Sequence, residues 1–340
     1  MPEPTRPVEQ IRADALAVSD DSPDRARLWA DLFGALHDAS RLRILTLVGR
    51  GELAVGELAV LLEQSQPRIS RHVRILEEAG LVERRREGSW VFVRPTQTRA
   101  SDALRRLFAD LPVHPDDAAV LAADRARLGA IQAERAAAAA RYFANHAETW
   151  DAIRSLQVAE AEVEAAVLGM LRNRRLGQLV DLGTGTGRMA AILRGQASSV
   201  IAIDRSPEML RVARSRLSGD GDAEVEFVLG DLRALPLADG RVDSIVMHQV
   251  LHFLDEPGAA ITEAARVLRG RGHLLIVDFA PHDREELRRD AAHVRLGFSD
   301  GQIRGWFASA GLVMEKIEEL GGGVLTVKLW LARRRSEDNL

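Results

Sequence analysis

The spacing of hydrophobic residues in the first third of the chain predicts short helices followed by a β-hairpin. The first helix is expected to bury one face, formed by Trp29, Leu32, Phe33 and Leu36. A second helix is expected to begin near Asp38 and Ser40, and two more are expected over Val55–Glu63 and Pro67–Ala79. The segment LVERRREGSWVFVRP alternates around Glu87, Gly88 and Ser89, which is typical of a two-stranded hairpin. Together these elements are the components of a winged helix-turn-helix.

The pattern changes after Leu176, where apolar runs of strand length alternate with helical segments. These runs are QLVDLG, VIAID, VEFVLGD, VDSIVMHQV and HLLIVDF. Such alternation predicts an α/β domain in which helices cover both faces of a parallel sheet. Between about Pro112 and Leu176 the chain is rich in alanine and in charged residues, a composition that favours helix.

A length of 340 residues favours two domains, because one hydrophobic core rarely organises a chain of this size. We expect a loose arm at 1–22 and a winged helix-turn-helix domain at 23–111. A helical linker is expected at 112–176, an α/β domain at 177–333 and a short tail at 334–340.

The composition is typical of a soluble globular protein, with 46% apolar and 28% charged residues. No run approaches the roughly 20 apolar residues of a membrane helix, and MPEPTRPVEQ lacks the apolar segment of a signal peptide, so we expect a cytoplasmic location. The absence of cysteine excludes disulfides, thiolate metal sites and cysteine nucleophiles. The net charge of −4 does not indicate nucleic-acid binding, so any basic surface must be local.

The second helix of the helix-turn-helix has a basic face. If Ile69, Val73 and Leu76 face the core, a rotation of about 100° per residue places Arg71 almost directly opposite them. Arginine binds both guanine edges and phosphates, so this face is expected to contact DNA. The expected contacts are Gln66, Arg68, Ser70, Arg71, His72 and Arg74 on the helix and Arg84, Arg85 and Arg86 on the hairpin. Any single arginine of this set could simply belong to a solvated helix face. The combination of helix, turn, helix, basic face and basic hairpin favours DNA binding.

The segment from Trp29 to about Asp110 resembles the ArsR family of dimeric bacterial repressors. The resemblance lies in SRLRIL, SQPRISRH, LEEAGLV and the hairpin that follows. It implies a homodimer, formed through the first and last helices of the domain, that places two recognition helices in successive major grooves of operator DNA. Metal-sensing members carry cysteines in an ELCVCEL segment, whereas residues 52–58 of this chain read ELAVGEL. Metal sensing at that position is therefore disfavoured, and no metal is expected.

A glycine-rich turn follows the first apolar strand of the second half, at residues 179–187, LVDLGTGTG. By itself this turn is also compatible with a dinucleotide site or a plain tight turn. The next two strands end at Asp204, which could accept hydrogen bonds from both ribose hydroxyls, and at Asp231, which could meet an adenine amine. The acidic Asp181 would repel a pyrophosphate but suits the cationic amine of a methionine moiety.

The region from about Tyr142 to Ala332 resembles class I S-adenosylmethionine-dependent methyltransferases. The resemblance lies in VDLGTGTGR, IAIDRSPEML and GDLRALPLADGRVDSIVMHQVLHFLDEP, with VMEKIEEL and VLTVKLWLA as closing antiparallel strands. It implies a Rossmann-like fold whose sheet is mostly parallel, with S-adenosylmethionine or S-adenosylhomocysteine as the ligand. The ligand contacts that it implies are Asp181, Gly183, Thr184, Gly185, Asp204, Arg205, Met209, Asp231 and Leu232. Tyr142 and Trp150, on a preceding helix, would cover the ligand or simply pack that helix on the sheet.

Two functions remain open at this level. The first is a DNA-binding transcriptional regulator whose methyltransferase-like domain binds the adenosyl ligand as effector, similar to adenosylhomocysteine-responsive repressors of the methionine cycle. The alternative is an active methyltransferase of a small molecule with an autoregulatory DNA-binding domain. The candidates for catalytic residues are weak: His248, Gln249 and His252 after the fourth strand, and Asp278 and His282 after the fifth. Each histidine can equally be a hydrogen-bonded loop residue.

Overall fold

A computed structural model describes the larger part of the chain. The described residues are 23–49, 52–87, 89–96, 98, 101, 103, 104, 106, 115–147, 160–217, 223–321 and 324–335. They form two compact units, and the division between the units follows Glu134. This division lies within a single helix, Pro115–His146. The domain limits expected from the sequence remain a prediction.

The first unit consists of helices and a small antiparallel sheet. Its helices are α1 (Pro23–Leu36), α2 (Ala39–Val48), α3 (Val55–Leu62) and α4 (Gln66–Glu78). Its strands are β1 (Leu53–Ala54), β2 (Val82–Glu87) and β3 (Trp90–Pro95), in the order β1-β3-β2. The predicted helix-turn-helix and hairpin are thus confirmed. The beginning of helix α5 (Pro115–His146) belongs to the same unit.

Local chemistry explains where the helices of the first unit begin and which faces they bury. The Asp38 side chain accepts a hydrogen bond from the backbone N–H of Arg41, at 3.1 Å, and so caps the start of α2. Leu32 and Leu36 are buried on α1 as the spacing predicts. Phe33 is 54% exposed, so its predicted burial is wrong. Its position, one residue beyond Leu32, rotates it away from the buried side of the helix.

The second unit is a seven-stranded sheet with helices on both sides. Its strands are β4 (Gln178–Leu182), β5 (Ser199–Asp204), β6 (Val225–Leu229), β7 (Val242–His248), β8 (Leu268–Phe279), β9 (Leu312–Leu320) and β10 (Val327–Arg334). Its helices are α6 (Glu160–Leu171), α7 (Arg188–Leu193), α8 (Pro207–Leu217), α9 (Pro257–Val267), α10 (Glu286–Asp290) and α11 (Asp300–Ser309), besides the end of α5.

The strand order of this sheet is β6-β5-β4-β7-β8-β10-β9. The first five strands run parallel, and β10 pairs antiparallel with both β8 and β9. The predicted mostly parallel sheet with antiparallel closing strands is confirmed. The carboxyl ends of parallel strands lie at the same edge of a sheet. The residues that follow β4, β5, β7 and β8 therefore lie along that edge. Within the described helices, none is long and apolar enough to cross a membrane.

Candidate functional site

Helix α4 of the first unit has a buried apolar face and an exposed basic face. Ile69, Val73 and Leu76 are fully buried in the core. The exposed residues of α4 include Gln66, Arg68, Ser70, Arg71 and Arg74. Arg74 lies 3.6 Å from Glu78, one helical turn away. The predicted basic face therefore exists as an exposed surface of the helix.

His72 does not lie on this basic face, although the sequence placed it there. Its side chain is 10% exposed, and its Nδ1 lies 3.8 Å from the Asp38 carboxylate. Burial lowers the pKa of His72, although Asp38 acts in the opposite direction. His72 follows Ile69 by three residues, a spacing that returns the side chain to the buried side of the helix. This position does not favour DNA contact by His72, which stays a prediction.

The three arginines of the hairpin differ in their surroundings. Arg84 pairs with Glu77 of α4, with Nη2 2.5 Å from the carboxylate, and its side chain is 39% exposed. Arg85 lies 3.3 Å from the largely buried carboxylate of Glu52. Arg86 is exposed. The Arg85 guanidinium is thus held by Glu52, whereas Arg84 and Arg86 are exposed. Contact of these three arginines with DNA stays a prediction.

In the second unit, Asp181 organises the glycine-rich turn that follows β4. Its side chain is buried, and Oδ2 accepts hydrogen bonds from the Thr184 hydroxyl at 2.6 Å and from the Ala190 N–H at 3.0 Å. The carboxylate thus connects the turn to the start of α7, where backbone N–H groups favour a negative charge. Contact between Asp181 and the amine of a ligand remains a prediction.

Gly183 allows this turn to pack closely against the segment that follows β7. Its φ is +72°, and a Cβ at this position would lie 2.4 Å from Cγ2 of Val250. Only glycine adopts such a conformation without strain and leaves room for Val250. The glycine-rich turn and the segment after β7 are therefore in direct contact, and an added side chain would separate them.

We expect Gly183→Ala to lower the stability of the second unit by about 1–3 kcal/mol more than Gly311→Ala does, because overpacking adds to the cost of positive φ. Gly311 has nearly the same φ, +73°, but a Cβ there would meet no atom within 4 Å. Denaturant unfolding of the two full-length variants measures the difference. Equal losses of stability in the two variants would show that Val250 moves aside without a cost in free energy.

Asp204, at the end of β5, is held beside the glycine-rich turn. Its Oδ2 accepts a hydrogen bond from the Gly185 N–H at 2.8 Å, and its Oδ1 accepts one from the Ser206 N–H at 2.9 Å. Burial raises the pKa of Asp204, whereas these two donors act in the opposite direction. Each carboxylate oxygen can accept a further hydrogen bond, so the group can also bind two hydroxyls. Arg205 is exposed beside it, and Met209 is buried on α8.

Asp231 follows β6, and its carboxylate is bound by Arg233, a residue that the sequence analysis did not identify. Arg233 binds it through Nε at 3.1 Å and through Nη2 at 2.7 Å. This hydrogen bonding holds the pKa of Asp231 below its usual range. The carboxylate remains partly exposed, while Leu232 is buried beside it. An adenine amine at Asp231 would therefore share the carboxylate with Arg233 or displace it.

The candidates in and after β7 and β8 differ in how deeply they are buried. His252 and Asp278 form a buried pair, with Nδ1 of His252 2.7 Å from Oδ1 of Asp278. Gln249 is also buried and has a φ of +51°, a strained conformation for a residue with a side chain. His248 and His282 are half-buried. The structure thus brings together two of the five candidates, which are 26 residues apart in sequence.

The sequence did not identify His293, which lies against the His252 ring. The two ring centres are 4.1 Å apart, and His293 is 5% exposed. Burial lowers the pKa of His293, and the nearby His252, His282 and Arg288 act in the same direction. His293 belongs to an irregular segment with no periodicity, so its burial depends on tertiary packing alone.

The predicted covering residues lie at the end of α5 and beyond it. Tyr142 and Phe143 are half-buried in the last turns of the helix, and Phe143 packs edge-on against Phe253 with ring centres 4.9 Å apart. Trp150 lies outside the described residues. In the part of the chain that the structure describes, no group of three or more His, Asp or Glu side chains is arranged to hold a metal ion.

Two family models match separate parts of the chain. Residues 38–84 match the model for bacterial regulatory proteins of the arsR family, and residues 180–276 match the model for a methyltransferase domain. Both resemblances expected from the sequence are confirmed. The two matched segments contain α4 and most of the parallel sheet, respectively.

Curated relatives are similar over part of their length. The malonyl-[acyl-carrier protein] O-methyltransferase of Laribacter hongkongensis is 30% identical over 194 residues, covering 52% of this chain and 65% of that protein. The demethylmenaquinone methyltransferase of Clavibacter sepedonicus is 37% identical over 103 residues, covering 30% of this chain and 41% of that protein. This chain therefore spans less than two thirds of the length of either relative.

Solved structures with a similar fold cover about half of the chain. YcgJ of Bacillus subtilis is 21% identical, with a TM-score of 0.47 over 52% of this chain and 99% of that chain. The N-methyltransferase NodS of Bradyrhizobium japonicum, in complex with S-adenosyl-L-homocysteine, is 19% identical. Its TM-score is 0.44, over 52% of this chain and 87% of that chain.

Proposed function

We propose that this chain, in which an ArsR-type helix-turn-helix is joined to a methyltransferase domain, is a DNA-binding transcriptional regulator with an adenosyl-ligand effector. S-adenosylmethionine or S-adenosylhomocysteine would bind the second unit and change the affinity of the first for operator DNA. The protein would act as a cytoplasmic homodimer of the repressor type. The observation that carries the proposal is that one chain has both an exposed arginine face on α4 and an anchored carboxylate, Asp204, beside a glycine-rich turn.

The exposed face of α4 is suited to DNA because it carries arginines and has no acidic residue between Gln66 and Arg74. Arg68 and Arg71 carry no ion pair within the described residues, so their guanidinium groups need not leave a carboxylate to meet a phosphate or a base. Arginine binds guanine through two parallel hydrogen bonds, which gives sequence preference as well as affinity. Arg86 on the hairpin supplies a further exposed cation for the DNA backbone.

We expect Arg71→Ala to weaken binding to operator DNA by about 1–3 kcal/mol, because in the proposed complex Arg71 contacts a base directly. The operator fragment is first selected with the wild-type protein from fragmented genomic DNA, and fluorescence anisotropy then gives the affinity. Arg125→Ala is the matched control, since Arg125 is an exposed arginine on α5 in the same unit. Equal losses in the two variants would show that Arg71 contributes only general charge.

The second unit offers an adenosyl ligand groups of suitable chemistry. Asp204 would bind the ribose hydroxyls, Asp231 the adenine amine, and Leu232 one face of the adenine ring. The backbone at Gly183 and Gly185, both with positive φ, allows the ligand to approach without side chains in its way. When bound, S-adenosylmethionine supplies an electrophilic methyl group on a sulfonium.

Helix α5 is the proposed transmission element. In the first unit, Asp124 of this helix binds Arg43 of α2, with N–O distances of 2.6 and 2.7 Å. In the second unit, Phe143 of the same helix packs against Phe253, next to His252. A ligand that binds the DNA-competent and DNA-incompetent states with different affinities needs about 1–3 kcal/mol of coupling to regulate.

Titration of the selected operator fragment with protein, in the presence and absence of each adenosyl ligand, tests the effector role. We expect about a 5- to 150-fold change in affinity with at least one ligand, which corresponds to that coupling. Calorimetry on the same samples confirms whether the ligand is bound. Unchanged DNA affinity with both ligands bound would refute the proposal.

A second function, methyl transfer to a small molecule with DNA binding as autoregulation, is favoured by one observation. In the buried pair, His252 follows β7 and Asp278 lies near the carboxyl end of β8, on the edge of the sheet where the glycine-rich turn lies. Effector binding alone does not require a histidine held by a carboxylate at this place.

A further inference from the structure

Asp278 holds the imidazole ring of His252 in one orientation. The carboxylate is fully buried and lies 2.7 Å from Nδ1 of His252. It also accepts hydrogen bonds from the backbone N–H groups of Leu251 and Phe279, at 3.0 and 2.8 Å, so its own position is fixed. Because an ionised carboxylate only accepts hydrogen bonds, Nδ1 carries the hydrogen. Nε2 is then the ring nitrogen that can accept a proton.

His293 adds a buried nitrogen to this pair, and the three residues His252, Asp278 and His293 are called here the histidine cluster. Within the described part of the chain, Nδ1 of His293 is buried and has no hydrogen-bond partner. Buried polar atoms are normally satisfied, so a partner that completes this hydrogen bond is expected from outside those residues. The low pKa of His293 keeps its ring neutral and able to share such a bond.

Aromatic rings surround the histidine cluster. The His252 ring centre lies 4.0 Å from that of Phe253 and 5.0 Å from that of Phe279. Phe279 also stacks on His293, with an angle of 17° between the ring planes. Phe143 packs edge-on against Phe253. Aromatic side chains of this kind pack well against a flat apolar molecule with few polar groups.

The histidine cluster is also close to the glycine-rich turn. His252 follows Val250 by two residues, and Val250 is the residue that a Cβ at Gly183 would strike. The segment that carries His252 is therefore packed directly on the proposed adenosyl-ligand site. A molecule bound against His252 would be near the ligand that the turn holds.

We propose that the histidine cluster binds an aromatic hydroxyl compound and that His252 accepts the hydroxyl proton as the oxygen is methylated. This inference rests on the proposed adenosyl-ligand site. The O–H bond breaks, its proton moves to Nε2 of His252, and the oxygen forms a bond to the methyl carbon. The carbon–sulfur bond of the sulfonium donor breaks, and its electron pair remains on sulfur. His252 afterwards releases the proton to water, and Asp278 stabilises the imidazolium in between.

A hydroxyl on an aromatic ring fits this arrangement better than a carboxylic acid does. A carboxylic acid is ionised at neutral pH and needs no base, whereas a phenol, with a pKa of about 10 like that of tyrosine, gains from one. Asp278 is a positioning residue in this scheme, because it acts on the acceptor only through His252. The neutral His293 can hydrogen-bond to a second polar group of the acceptor.

The first test follows the ionisation of a bound phenol and does not depend on turnover. Full-length protein saturated with S-adenosylhomocysteine is mixed with 2-naphthol, whose absorbance distinguishes the phenol from the phenolate. We expect the wild-type protein to hold 2-naphthol as phenolate at a pH at least about one unit lower than in free solution. His252→Gln is expected to abolish this shift, and Asp278→Asn to reduce it.

The second test compares methyl transfer from S-adenosylmethionine to 2-naphthol and to the more acidic 4-nitrophenol at pH 8. His252→Gln is expected to slow the reaction of 2-naphthol about 100-fold or more. The loss with 4-nitrophenol should stay below about tenfold, since that phenol ionises without help. His273→Gln is the control, because His273 lies in β8 five residues before Asp278 and is 3.8 Å from Glu315.

Calorimetry with S-adenosylhomocysteine accompanies both tests and separates the possible failures. If that ligand binds and 2-naphthol does not, the inference is overturned while the proposed ligand site stands. An ionisation shift that persists in His252→Gln, or equal losses for the two phenols, also overturns it, because a purely structural role of His252 would affect both acceptors alike. Absence of S-adenosylhomocysteine binding to the wild-type protein refutes the proposed function and this inference together.

Discussion

Asp204→Asn is expected to raise the dissociation constant for S-adenosylhomocysteine about 100-fold or more. In the proposed ligand site, two ribose hydroxyls would donate hydrogen bonds to this charged acceptor, and such bonds contribute about 1.5–3 kcal/mol each. Both of its oxygens also accept backbone N–H groups, from Gly185 and Ser206. An amide in the same place must turn its NH₂ toward one of these donors, so the glycine-rich turn would be disturbed as well.

Isothermal titration calorimetry on the full-length variant measures this loss, with Asp239→Asn as the control. Asp239 lies in the same unit, and its side chain is 78% exposed. The Asp239→Asn change removes the same charge and leaves the glycine-rich turn intact. Affinity for operator DNA in the absence of ligand should be the same in both variants and in the wild-type protein. Unchanged ligand affinity in Asp204→Asn would mean that the ligand does not bind at this carboxylate.

Arg43→Met is expected to destabilise the first unit by about 3–5 kcal/mol, because it leaves a carboxylate buried without its partner. The Asp124 side chain is 1% exposed, and Arg43 binds it through two N–H groups. Hydrogen exchange of peptides from α4, read by mass spectrometry, measures the change. Exchange there should become roughly 100-fold faster or more, if these amides exchange by opening of the whole unit.

Two comparisons show whether the effect of Arg43→Met comes from the buried charge. Arg74→Met removes an ion pair with Glu78 whose side chains are 61% and 56% exposed, and it should cost less than about 1 kcal/mol. The double variant Arg43→Met/Asp124→Leu replaces the pair with apolar groups and should recover most of the stability. A double variant as unstable as Arg43→Met alone would contradict this explanation.

The order of helices and strands could be predicted because it depends on local periodicity. The buried face of α4 and the parallel strands repeat their apolar residues at regular intervals, and glycine or capping residues mark their ends. The positions of Asp204 and Asp231 followed from the same pattern, since each residue comes at or just after the end of a strand. Whether these residues bind a ligand stays a prediction.

The pairing of distant charged residues could not be predicted, because it depends on tertiary packing. Arg43 and Asp124 are 81 residues apart, and His252 and Asp278 are 26 residues apart. Neither distance corresponds to a helical or strand period. His72 is a different case, because its spacing from Ile69 already indicated the buried side of α4. Its basic neighbours led us to assign it to the exposed face instead.

Helix α5 also limits where the gene can be divided into separately expressed parts. The sequence suggested that the DNA-binding domain ends at residue 111, but a fragment cut there would lack Asp124 and leave Arg43 without its carboxylate. A fragment that continues to Glu134, where the first unit ends, keeps Asp124 and the core contacts of Leu128. A gene product that ends at residue 111 contains the whole recognition helix. It is nevertheless expected to fold poorly, because it lacks the part of α5 that packs on the helix-turn-helix.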